Sequence, residues 1–120
     1  MGTKIITSSI KVQNTHLSLP LIKINSNKGG PIIWLTACLH GDEVGVISVI
    51  HEIINKIKKE GLMRGKIYAI PLINKKGFEN KSRLFEKEDL NRLFPGEVNG
   101  SIGEKITYTI NKEVIKTNVN

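Results

Sequence analysis

Cysteine is nearly missing from this 120-residue chain: Cys38 stands alone, so no internal disulfide can form. A reducing cytoplasm is the expected compartment. Aromatic residues make up only 5% of the sequence. No basic run is interleaved with them, so the stacking platform of a nucleic-acid binder is lacking and no such partner is expected. There is also no run of about 18 consecutive apolar residues, the length a membrane span requires. The N-terminal Met1-Gly2-Thr3-Lys4-Ile5-Ile6 lacks the apolar core and small-residue cleavage site of a secretory signal. Acidic residues are scarce, 11 against 18 lysines and arginines, which leaves a net charge of +7. That surplus fits a lysine-rich solvated surface or the attraction of small anions, and it does not decide function.

What is present reads as one domain, or a piece of one, long enough to bury a real core. Hydrophobic residues at 39% and charged residues at 24% are ordinary for a globular protein. Thr3–Ile10 and Leu17–Asn25 are β-branched and apolar, which predicts two strands joined through Gln13-Asn14-Thr15. Pro31–Cys38 is a continuous apolar run, as in a strand buried on both faces. A helix is expected over about Glu43–Lys59, with Val46, Ile47, Ile50, Ile53, Ile54 and Ile57 on its inner face. Asp42 and Glu43 at its start and Lys56, Lys58 and Lys59 at its end complement the macrodipole. Lys66–Ile73 is a further buried strand. Asn74–Gly96 is long, polar and weakly periodic, a length that usually serves a function. Ser101-Ile102-Gly103-Glu104 matches a capping box and opens a last helix to about Lys116. The order predicts an α/β layered domain around a mixed sheet flanked by helices, with ligands beyond the carboxyl ends of its strands.

His40-Gly41-Asp42-Glu43 lies at such an end. An imidazole and a carboxylate three residues apart can turn toward one point, and both are good zinc donors. Alone, the pattern is short enough to recur by chance, with His40 merely ending a strand and Glu43 favouring a helix dipole. The long loop adds Arg83, whose planar fork suits a carboxylate or a developing oxyanion. It also adds Asn91 beside Arg92, an amide donor next to a fixed charge, which suits a substrate carboxylate.

Ala37 to Gly45, followed by Asn74, Gly77-Phe78-Glu79, Arg83 and Asp89-Leu90-Asn91-Arg92-Leu93-Phe94-Pro95-Gly96, resembles the succinylglutamate desuccinylase/aspartoacylase family, relatives of the zinc carboxypeptidases. The resemblance runs from about Pro31 to the final helix. It implies a zinc-carboxypeptidase-like layered fold, with His40 and Glu43 as the first two ligands of a Zn2+ ion. It implies that Arg83 polarises the scissile carbonyl, and that Asn91 and Arg92 hold the free carboxylate of a small anionic N-acyl amino acid. The implied reaction is hydrolysis of that amide by metal-activated water. A carboxypeptidase acting on peptides and a non-catalytic anion binder are the alternatives.

In the family, the third zinc ligand is a His from a strand after the helix matching Ser101–Lys116, and the general-base Glu lies further on. Residues 1–120 are thus expected to be the N-terminal portion of a single catalytic domain, with no second domain. The expectation is an apparently truncated fold that binds zinc weakly, is inactive alone, and self-associates through an exposed sheet edge. His51 lies eight residues past Glu43, about 12 Å along a helix, too far to share one ion. His16 matches no family ligand, and Cys38 reads as a small core residue.

Overall fold

The computed structural model describes residues 2–117. Four strands form one sheet: β1 (Lys4–Lys11), β2 (Ser18–Asn25), β3 (Ile32–Thr36) and β4 (Lys66–Ile70), in spatial order β1-β2-β4-β3. The first two make an antiparallel hairpin with Ile5 opposite Ile24, β2 runs antiparallel to β4, and β3 runs parallel to β4. The mixed sheet expected from the element order is therefore present.

Helix α1 (Gly45–Glu60) connects the parallel pair and covers one face; α3 (Ile102–Lys116) covers the other. Side-chain alternation sorts the strands between the two layers. Ile22 and Ile24 of β2 and Ala69 of β4 pack with Ile50 and Ile54 of α1. Leu19 and Leu21 of β2 and Ile70 of β4 pack with Ile106 and Ile110 of α3. Trp34 stacks on Tyr68 across the parallel pair, with ring centroids 4.9 Å apart, and its Nε1–H donates to Thr117 Oγ1 at 2.8 Å. The indole thus fastens the last turn of α3 to β3.

Four readings need correction. Among the described residues β3 is an edge strand, so Ile33 is 46% exposed and the run is not buried on both faces. The other edge, β1, carries Lys4 and Lys11, whereas Ile32–Thr36 has no charge to blunt pairing. Helix α1 begins at Gly45, so Asp42 and Glu43 precede it and its first turn holds no acid. Val46 is 42% exposed, because the inner stripe starts at Ile47. The long loop also contains order: a short helix α2 (Lys75–Glu79) and a 3-10 turn at Leu90–Arg92. Its polar surface hid them, since Gly77 and Leu90 alone of these segments are buried.

Among the described residues no helix is long and apolar enough to cross a membrane.

Candidate functional site

Where β3 ends, Ala37 and Cys38 are held against the end of β4. Ala37 N–H donates to Ile70 O, while Ile73 and Asn74 donate back to Ala37 O and Cys38 O. Cys38 then takes a left-handed backbone, φ 59°, which swings the chain off the sheet. A non-glycine residue in that region is uncommon and concentrates at functional turns. Its buried thiol donates to the carbonyls of His40 and Gly41, at 3.4 and 3.6 Å. Burial foremost, then the charges of Glu43 and Asp42, pushes the thiol pKa up. It stays a protonated core group.

Gly41 is where the two loops touch. A Cβ there would lie 2.2 Å from Gly77 C and 2.3 Å from Ser82 O, so only glycine permits the approach. Asn74 makes the partner surface: its Oδ1 accepts from Gly77 N at 2.8 Å and caps α2. Gly41 N–H donates to Arg83 O at 3.2 Å, locking the His40 turn to the Arg83 turn.

These contacts bring the imidazole of His40 between two carboxylates. Nε2 lies 2.9 Å from Asp89 Oδ1, and Nδ1 lies 3.2 Å from Glu43 Oε2. His40 is 8% exposed. The bond to Asp89, helped by Glu43, raises its pKa against the opposing effects of burial and Arg83. Asp89 is correspondingly lowered, first by His40, with the N–H of Asn91 adding to it. Arg83 Nη2 stands 3.5 Å from Asp89 Oδ2, which keeps its half-exposed guanidinium beside the cluster.

Of the residues singled out from the sequence, His40 thus touches Glu43 on one side and is linked to Arg83 through Asp89 on the other. Asn91 reaches Asp89 through the backbone, its N–H donating to Asp89 Oδ1 at 3.0 Å. The side chains of Asn91 and Arg92 are exposed and make no hydrogen bond or ion pair among the described residues. The sequence marks Asp89 only as part of a motif; a carboxylate bonded to the far nitrogen of a histidine is what fixes the ring.

Two groups that zinc accepts as donors, an imidazole nitrogen and a carboxylate oxygen, stand side by side. Nε2 faces Asp89 and Nδ1 faces Glu43, and the raised pKa favours a ring protonated toward both. A metal ion between Nδ1 and Glu43 would take the place of the Nδ1 proton. Two donors of one tetrahedral zinc stand roughly 3.3–3.5 Å apart, close to the 3.2 Å observed here. Asp89 is engaged on the far nitrogen. Among the described residues no third His, Cys, Asp or Glu completes a cluster. His51 and His16 are exposed elsewhere, on α1 and in the β1–β2 turn.

Known proteins share this arrangement of elements. A curated relative from Halomonas elongata, N-alpha-acetyl-L-2,4-diaminobutyric acid deacetylase, is 32% identical over 110 residues, covering 79% of this chain and 32% of the relative. The crystal structure of an aspartoacylase family protein from Mesorhizobium loti superposes with a TM-score of 0.79 at 26% identity, over 96% of this chain and 37% of that one. The product-bound ectoine utilization protein from Ruegeria pomeroyi gives 0.75 at 25% identity, again over 96% and 37%. The chain therefore spans about a third of the length of these relatives. A profile of the succinylglutamate desuccinylase/aspartoacylase catalytic domain matches residues 29–118. On that match and the shared fold, the chain belongs to the succinylglutamate desuccinylase/aspartoacylase family.

Proposed function

We propose that this chain supplies the first part of a zinc-dependent deacylase site, one that hydrolyses the amide of a small N-acyl amino acid. The observation that carries the reading is the 3.2 Å separation of His40 Nδ1 and Glu43 Oε2, with the other ring nitrogen taken up by Asp89. The naming of a deacetylase relative supports the class of reaction.

His40 Nδ1 and Glu43 hold the metal in this reading. When bound, zinc supplies Lewis-acid activation of water and of a carbonyl. With the metal bound, Asp89 would hold the His40 proton on Nε2 and leave Nδ1 to ligate. Arg83, anchored beside Asp89, donates to the oxygen that gains charge as the amide carbonyl is attacked. Losing such a donor typically costs about 3–4 kcal/mol of barrier. Asn91 and Arg92 leave their side-chain donors free at the surface, where they take the substrate's carboxylate. The surplus of basic residues favours an anionic substrate. The single buried cysteine accords with a reducing cytoplasm.

Two protein ligands are one fewer than catalytic zinc sites ordinarily use. The 120 residues alone should therefore hold the ion weakly and turn over little substrate. Cobalt(II) titration, followed through its visible bands, tests the ligand assignment. Weak binding abolished by His40→Ala and by Glu43→Gln is expected. Tight stoichiometric binding, or binding indifferent to both substitutions, overturns it.

A further inference from the structure

A cavity lies apart from this site. It is a half-open cleft of about 680 Å³, within the range of small-molecule sites. None of His40, Glu43, Arg83 or Asp89 lines it. The β1–β2 turn, the start of α2, the segment around Phe85 and the first turns of α3 form its walls. Its floor is apolar: Leu19, Ile73, Phe85 and Ile106 are all buried. At its mouth Leu17 and Ile102 are 40% and 42% exposed, so apolar surface continues outward from the floor.

The charges at the rim are unevenly matched. Lys76 pairs with Glu86 at 3.6 Å, a half-exposed contact that occupies the ammonium and leaves both groups charged. Lys105 is half-buried in the α3 wall, and neither it nor Lys75 makes an ion pair among the described residues. A lysine stem laid along apolar surface with an unpaired ammonium at its end is ready to receive an anion. Glu79 and Glu86 on the same rim repel a multiply charged head group.

We propose that this cavity binds an aliphatic monocarboxylate of medium length, its chain over the Leu19–Ile73–Phe85–Ile106 floor and its carboxylate met by Lys105 and Lys75. The apolar floor selects the tail, the two unpaired ammonium groups select the sign of the head, and the two glutamates limit it to a single charge. The site needs neither the metal ligands nor turnover, so it stands or falls separately from the deacylase reading.

Methyl and amide NMR titrations of the metal-free 120-residue chain with decanoate and with decanol test it, below the concentrations at which either aggregates. Decanoate should shift Leu19, Ile73 and Ile106 and bind about tenfold more tightly than decanol, the scale of one hydrogen bond to a charged group. The double variant Lys75→Gln with Lys105→Gln should lose that advantage while still binding decanol, which shows its cavity intact. Equal affinity for the two ligands, no binding of either, or an unchanged decanoate affinity in the double variant overturns the proposal. So do concentration-dependent shifts of the same residues without ligand, which would assign the groove to a second copy of the chain.

Discussion

Replacing Gly41 by alanine puts a methyl group into space already filled by backbone. The new carbon would stand 2.2 Å from Gly77 C, 2.3 Å from Ser82 O and 2.5 Å from Gly77 Cα, where ordinary contact begins at 3.4 Å. One loop must retreat by more than an ångström. Overpacking costs about 1–3 kcal/mol when side chains can yield. Here every near neighbour is main chain, and that main chain is tied by Ser82 N–H to Gly77 O at 2.8 Å. The upper end of the range therefore applies. The retreat also breaks the bond from Gly41 N–H to Arg83 O, which adds about 1 kcal/mol. A loss of about 3–4 kcal/mol is expected, seen in urea unfolding as a midpoint lowered by about 2 M. The control is Gly45→Ala, where a Cβ meets nothing within 4 Å. That change should leave stability the same or raise it by less than about 1 kcal/mol. A Gly41→Ala chain within about 0.5 kcal/mol of the parent would refute the claim that the His40 and Arg83 turns are held by this contact.

The His40–Asp89 pair sets a pH window in the metal-free chain. Asp89 is lowered, so its contribution is present above its unfolded value and is lost as the pH falls through the folded one. His40 is raised, so its contribution is full below its unfolded value and is lost as the pH rises through the folded one. The pair therefore stabilises most between the two, and NMR of the imidazole should titrate above an ordinary histidine; in Asp89→Asn the midpoint should fall. At α3, Ser101 Oγ accepts from Glu104 N, Glu104 Oε1 accepts from Ser101 N, and the same hydroxyl donates to Glu88 Oε2 at 2.8 Å. Ser101→Ala should cost about 1–2 kcal/mol in thermal or urea unfolding, and an unchanged midpoint would mean that solvent replaces the cap.

The strands and both long helices were legible because their signals are local and repeated. β2 alternates between two cores, and α3 starts on a capping box present in sequence and structure alike. The start of α1 was not legible. Asp42 and Glu43 look like first-turn acids, but the left-handed Cys38 and the contact at Gly41 fold them into a turn of their own, with Glu43 N–H bonded to His40 O. That contact depends on Gly77, 36 residues along the chain, and no local pattern encodes it. The same holds for Asp89, whose bond to His40 spans 49 residues. The candidate ligands could be picked out by type and spacing. The carboxylate that orients His40 is brought near only by the packing of the loops that follow β3 and β4.

The chain's one tryptophan gives this arrangement a built-in optical gauge. Its indole sits on β3, stacks on Tyr68 of β4 and bonds to Thr117 at the far end of the last helix. Undocking of that helix alone would alter its emission while leaving the hairpin of β1 and β2 in place. One unmodified chromophore can therefore time when the last helix docks on the sheet.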